Sequence, residues 1–211
     1  MSPWCKICGI TSEADGAAVQ DAGADALGLV FTSLSKRQVS IDTAAQISQS
    51  ALTGNTSKVG LFVNPSVAQV TSVLQQVPLD LLQFQGDETA EFCAQFGLPY
   101  VKAIGVSPGT DFRSLAREYP DAWAIQLDAH VDGERGGTGQ SFDWSMWPES
   151  FPLPLILAGG LDPDNVARAI RETSPFGVDV SGGVEALDAR GEKIRGQKSH
   201  QAIRRFVSQV K

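Results

Sequence analysis

The stretch Trp4-Cys5-Lys6-Ile7-Cys8-Gly9-Ile10-Thr11 decides how the chain is read. A short apolar run stops at a glycine and turns into a helical pattern opening at Thr11 or Ser12, as a buried strand feeding a helix does. Alternation puts Lys6 and Cys8 on one face of that strand and Cys5 and Ile7 on the other. A thiol therefore stands at the C-terminal tip, with an ammonium one pleat below. In parallel α/β architectures such tips are where active sites are built.

The same alternation of apolar run and amphipathic segment continues to the end. Strand-like runs cover Trp4–Gly9, Ala26–Phe31, Lys58–Val63, Leu79–Phe84, Tyr100–Val106, Ala122–Asp128, Pro154–Ala158 and Gly177–Val180. Helical patterns fill Ser12–Ala22, Asp42–Ser50, Ser66–Gln76, Glu88–Phe96, Asp111–Glu118, Asp162–Glu172 and Ser199–Val210. Between the sixth and seventh strands lies a glycine-rich loop, then Phe142-Asp143-Trp144-Ser145-Met146-Trp147, at most a short or distorted helix. Asp162 can cap a helix starting at Pro163, Gly23 ends the first helix, and Asn64-Pro65-Ser66 reads as a stop followed by a fresh cap. Strict βα alternation implies parallel strands with right-handed crossovers. About eight such units with no linker favour an α/β fold of the compact (β/α)8 TIM-barrel kind, one domain over residues 1–211. The competing open doubly wound sheet lacks its G-x-G-x-x-G fingerprint.

Composition narrows the function. The 211 residues are 42% hydrophobic and 19% charged, an ordinary globular balance. A net charge of −7 argues against nucleic acid or an anionic membrane as partner. It leaves room for an anionic small molecule held by local cations and backbone N–H groups. No run reaches the ~20 apolar residues of a membrane span, and no signal peptide is evident. Three cysteines, an odd number, suit a reducing cytoplasmic setting. Cys93 reads as a buried helix residue. With no long exposed apolar stripe, a monomer is expected.

Several residues carry chemistry. Ala158-Gly159-Gly160-Leu161 and Ser181-Gly182-Gly183-Val184-Glu185 end the last two strands, where barrel enzymes frequently bind phosphate on bare backbone N–H groups. Asp128 ends strand six, at the catalytic rim of a barrel. Ser35-Lys36-Arg37 follows strand two, and Arg37 could pair bidentately with a substrate carboxylate. Lys6, Lys102 and Asp179 are ionisable groups inside or at the end of apolar runs. Pointing inward they would need partners, which a polar cluster at the barrel mouth would supply. The segment Asp132-Gly133-Glu134-Arg135-Gly136-Gly137-Thr138-Gly139 has the composition of a lid, but not the lysine of a nucleotide-binding loop. Cys5 and Cys8 form a C-x-x-C whose thiols the alternation points apart, against a redox pair. Cys93, His130 and His200 offer no matching metal ligands.

Taken in order, Lys6-Ile7-Cys8-Gly9-Ile10-Thr11, Ser35-Lys36-Arg37, Gln83-Phe84-Gln85-Gly86-Asp87, Leu127-Asp128, Gly136-Gly137-Thr138-Gly139, Leu157-Ala158-Gly159-Gly160-Leu161 and Gly177-Val178-Asp179-Val180-Ser181-Gly182-Gly183-Val184-Glu185 closely resemble the phosphoribosylanthranilate isomerase family of tryptophan biosynthesis. The resemblance spans essentially the whole chain. It implies a cofactor-free, metal-free barrel acting on a phosphorylated small molecule, N-(5-phosphoribosyl)anthranilate, by an Amadori rearrangement. By position, it makes Cys8 the general base and Asp128 the general acid. Arg37 becomes the group that meets the anthranilate carboxylate, with Gln83 and Asp179 as further substrate contacts. Gly159, Gly160, Ser181, Gly182 and Gly183 become the phosphate cradle.

Two positions depart from the family pattern. Gln85 replaces a rim histidine, and Gly182 replaces a serine near the phosphate. Neither touches the acid–base pair. On this reading Lys6 lowers the thiol pKa of Cys8, and desolvation by bound substrate keeps Asp128 protonated. A related barrel with Lys102 as its acid, an idle phosphate-binding barrel and a thiol-redox protein are the competing readings.

Overall fold

The computed structural model of the chain describes residues 2–50, 54–129 and 143–211. Eight parallel strands close in chain order: β1 (Trp4–Cys8), β2 (Ala26–Val30), β3 (Ser57–Phe62), β4 (Leu81–Phe84), β5 (Tyr100–Val106), β6 (Ala124–Ala129), β7 (Leu155–Leu157) and β8 (Gly177–Val180). The seam is the pairing of β1 with β8, which sets Lys6 opposite Asp179. Around them run α1 (Glu13–Asp21), α2 (Ile41–Ser50), α3 (Val67–Leu74), α4 (Ala90–Ala94), α5 (Phe112–Glu118), α6 (Val166–Thr173) and α7 (His200–Val210). The barrel expected from the alternation of elements is the observed fold. Between β6 and β7 the described residues contain only a 3-10 turn, Trp144–Met146.

Local chemistry explains the helix boundaries. The Ser12 hydroxyl accepts from the Asp15 N–H, and Ser66 closes a capping box with Gln69. In α7, Ile203, Phe206, Val207 and Val210 recur at helical spacing and bury one face against the barrel. A fully buried side chain such as Phe206 contributes roughly 1.5–3 kcal/mol. One boundary differs from expectation. Asp162 does accept from the Asp164 and Asn165 N–H groups, but these form a turn, and the α-helix starts only at Val166.

The barrel interior is layered. Ala26, Val59, Leu81, Val101, Ala124 and Ile156 fill the end where the strands begin, and Cys8, Val30 and Leu61 pack together nearer the strand tips. Strand alternation puts Lys6, Gln83, Gln126 and Asp179 on the inward face between them, all buried. Lys102 is different. Its neighbours Val101 and Ala103 take the inward positions of β5, so its side chain leaves the barrel and pairs with Glu88. The expectation that it joins a cluster at the mouth is therefore incorrect.

The pattern reading also missed an element. After β8 the chain forms an antiparallel hairpin, β9 (Glu185–Leu187) with β10 (Lys193–Lys198), before α7 begins. Its turn is closed by Asp188, whose carboxylate accepts from the Arg190 and Glu192 N–H groups. Short strands and a largely polar sequence hide it from a hydrophobicity pattern.

Candidate active site

At the C-terminal tip of β1 the Cys8 side chain points into the barrel, and Cys5 points out into the shell under the helices. The two thiols of the C-x-x-C thus sit on opposite faces, which removes the redox-pair reading. Cys8 fits because its partner across β2 is Gly28. A Cβ there would lie 2.8 Å from the sulfur.

Beneath Cys8, the Lys6 ammonium lies 2.8 Å from the Asp179 carboxylate, both buried. Burial alone would drive the Lys6 pKa down. Asp179 and the Cys8 sulfur outweigh it and hold the ammonium above its ordinary value. Burial likewise raises the Cys8 thiol, and the opposing pulls of Lys6 and Lys198 do not cancel it. The expected lowering of this thiol by Lys6 is real as a contribution but loses to desolvation, so the net shift is upward. The other oxygen of Asp179 and both polar atoms of the Gln83 amide have no protein hydrogen-bond partner among the described residues.

Beside this group opens a cavity of about 360 Å³. Its wall includes Asp128 from β6, Gly159 and Gly160 after β7, and Asp179, Ser181, Gly182 and Gly183 from β8 and its loop. Asp128, Asp179 and all five expected cradle residues thus line one space. Gly159 and Gly160 both have positive φ (+89° and +66°), a turn that glycine makes without strain. Gly183 abuts the Leu161 carbonyl so closely that any Cβ would collide with it. The two glycine loops are therefore one packed unit. The Ser181 hydroxyl donates to the Cys8 carbonyl at 3.0 Å, tying the cradle to the tip of β1.

Arg37 is buried, and its Nε and Nη2 donate to Glu185 at 2.6 and 3.0 Å. Of the five guanidinium donors, two are thus committed within the protein. Burial works against the charge on Glu185, but Arg37 and the Gly196 N–H hold its carboxyl below the usual range. Gln85 lies just past the end of β4 with its N–H on the Phe62 carbonyl. The 132–139 segment lies outside the described residues.

Sequence reasoning gave no role to three cations of the hairpin. Lys193 and Arg195 line the cavity. Lys198 is buried and donates to the Ser181 carbonyl at 3.0 Å, and its burial depresses its pKa to about 8. The available signal was the run of basic residues Lys193, Arg195 and Lys198 close after the second glycine-rich strand end.

Comparison with known proteins gives the same picture. An N-(5'-phosphoribosyl)anthranilate isomerase of Pseudomonas aeruginosa is 50% identical over 206 residues, 98% of this chain and 94% of the relative. The crystal structure of the phosphoribosyl anthranilate isomerase from Thermotoga maritima superposes with a TM-score of 0.83 at 36% identity, covering 100% of this chain and 98% of that one. A phosphoribosyl anthranilate isomerase crystallised with reduced 1-(o-carboxyphenylamino)-1-deoxyribulose 5-phosphate matches at a TM-score of 0.80 and 35% identity, with coverage of 100% and 98%. The family model of N-(5'-phosphoribosyl)anthranilate (PRA) isomerase matches residues 5–209, and the chain belongs to that family.

Proposed function

We propose that this barrel isomerises N-(5-phosphoribosyl)anthranilate to 1-(2-carboxyphenylamino)-1-deoxyribulose 5-phosphate in tryptophan biosynthesis, with Asp128 as general acid and Cys8 as general base. Family membership supports the reaction. The observation that carries the residue assignment is a thiol and a carboxylate on the tips of β1 and β6, with a double-glycine cradle lining the carboxylate's cavity and bonded to the thiol's strand.

The steps follow from these groups. Asp128 donates a proton to the furanose ring oxygen as the bond from that oxygen to C1 breaks. The anthranilate nitrogen contributes its lone pair, and C1 becomes an iminium carbon. The Cys8 thiolate removes the C2 proton, and the electrons of that C–H bond move toward the iminium to give an enol-amine. Return of a proton to C1 and loss of the C2 hydroxyl proton give the ketose. The two proton carriers end as they began, so the cycle closes as an isomerisation.

The cradle of Gly159, Gly160, Ser181, Gly182 and Gly183 offers backbone N–H groups to the phosphate. Asp179 lines the cavity, and Gln83 shares the inward face of the barrel with it, as further substrate contacts. Arg37 has three donors beyond its Glu185 pair for the anthranilate carboxylate. The lysine-acid alternative is weaker here, because Lys102 stands outside the barrel on Glu88.

The same reading takes residues 1–211 as one cytoplasmic domain acting as a monomer, without nucleic-acid or membrane partners. Among the described residues, no helix is long and apolar enough to cross a membrane. Sedimentation equilibrium tests the monomer, and a concentration-dependent dimer would count against it. Asp128→Asn tests the acid, which should lose at least ~100-fold in kcat with KM nearly unchanged. Near-normal kcat would remove Asp128 from the role.

A further inference from the structure

The cavity that holds the cradle has an electrostatic problem. Asp128, Asp162 and Asp179 all contribute to its wall, and the chain as a whole carries −7. A phosphate monoester entering there meets carboxylates on several sides, and backbone N–H groups alone carry only partial charge. Arg37 is paired with Glu185, and the Lys198 ammonium is turned onto Ser181 within the wall. Among the described residues, the cationic side chains of the lining are Lys193 and Arg195, both from β10.

The hairpin that bears them is firmly held. Glu185 accepts from the Gly196 N–H at 2.9 Å with the same carboxylate that grips Arg37, and the Thr11 hydroxyl donates to the Gly196 carbonyl. Lys198 anchors the far end of β10 beneath the cradle. Between these anchors the pairing of β10 with β9 is irregular, and Lys193 and Arg195 both reach the cavity while Ile194 does not line it. A Cβ placed on Gly182 would be 3.9 Å from the Lys193 ammonium, so that charge hangs directly beside the cradle backbone.

We propose that the β9–β10 hairpin is a phosphate clamp, in which Lys193 and Arg195 supply the positive charge that the glycine cradle lacks. This rests on the phosphate-bearing substrate proposed above. The hairpin is inserted in the connection between β8 and α7, so the barrel strands provide the chemistry and the hairpin provides affinity for the phosphate group.

The test combines Lys193→Gln and Arg195→Gln in one variant and measures KM, kcat and competitive inhibition by inorganic phosphate at low and high salt. Both side chains are exposed. Arg113→Gln, an exposed change on α5 with the same loss of charge per site, is the control. The clamp predicts that KM and the phosphate inhibition constant rise about tenfold or more in the double variant, roughly one charge-assisted hydrogen bond. It also predicts kcat within about threefold of wild type, as uniform binding requires, a flatter salt dependence and no change in the control. Unchanged constants in the double variant, with an active wild type that phosphate inhibits, would overturn the clamp alone. A wild type that turns over substrate but is not inhibited by phosphate would overturn the cradle and the clamp together. An inactive wild type would overturn the proposed reaction as well.

Discussion

Lys6 and Lys102 look alike in the sequence, and the fold uses them in opposite ways. Each is an ammonium inside an apolar strand, and each is completely buried with one carboxylate partner. Lys102 leaves the barrel outward and is fully occupied. It donates to the Gly86 carbonyl at 2.6 Å and to Glu88 at 3.2 Å, and lies over the Tyr119 ring. Glu88 in turn accepts from the Asn64 and Gly86 N–H groups. That network stitches the loops after β3 and β4 to β5. Lys6 points inward to Asp179, with the Cys8 thiol as its other neighbour, and Asp179 lines the cavity. The first network ties loops together, and the second borders the cavity through Asp179.

The sharpest way to break that contrast is to remove both ammonium groups separately. Lys102→Met and Lys6→Met each leave a buried carboxylate without its partner and should each cost about 3–5 kcal/mol in denaturant unfolding. Only Lys6→Met should also lose turnover per folded molecule, by roughly tenfold for each unit the Cys8 thiol rises without the neighbouring ammonium that pulls it down. Equal activity losses in the two variants would erase the distinction.

Next in size is Cys8→Ala, which should cut kcat by at least ~100-fold with little change in stability, since a small side chain leaves a small gap. Retained activity would move the base elsewhere. Arg37→Ala is expected to raise KM about tenfold or more while kcat falls less. A collapsed kcat with unchanged KM would contradict its place as a binding group.

The smallest effect is the pH dependence. Burial raises the Cys8 thiol above its ordinary value, and the proposed base acts as a thiolate. Therefore kcat/KM should climb with pH on the alkaline side of about 8.5, the ordinary thiol value. Because the folded pKa is raised, the stability linked to this thiol is complete below that value and is lost as pH rises toward the folded pKa. Removing the ammonium of Lys6 should push the alkaline limb further up, and a limb that stays put would show that Lys6 does not act on the thiol.

Much of this was legible in the chain. Alternation in Trp4–Cys8 placed Lys6 and Cys8 inward, and the two double-glycine strand ends marked the cavity wall. Parity was equally available for Lys102, whose neighbours Val101 and Ala103 are the inward pair, yet the oddity of a charge in an apolar run drew it toward the mouth. The Glu185 grip on Arg37 was not readable, because the two are 148 positions apart and meet only when β8 closes on β1. The hairpin was hidden because its strands are stabilised by Gly196, Asp188 and Lys198 contacts and not by an apolar face. The net direction of the Cys8 shift depends on how completely the sulfur is buried, which no spacing reveals.

The central claim is that Cys8 and Asp128 form the acid–base pair of this isomerisation. The most direct measurement is the fluorescence decay of phosphoribosylanthranilate generated in situ, with wild type beside Cys8→Ala, Asp128→Ala and the outward-facing Lys102→Met. Fast decay in wild type and in folded Lys102→Met, lost in the other two, is the result expected. Undiminished decay in Cys8→Ala or Asp128→Ala would contradict the assignment, and no decay in folded wild type would contradict the reaction itself.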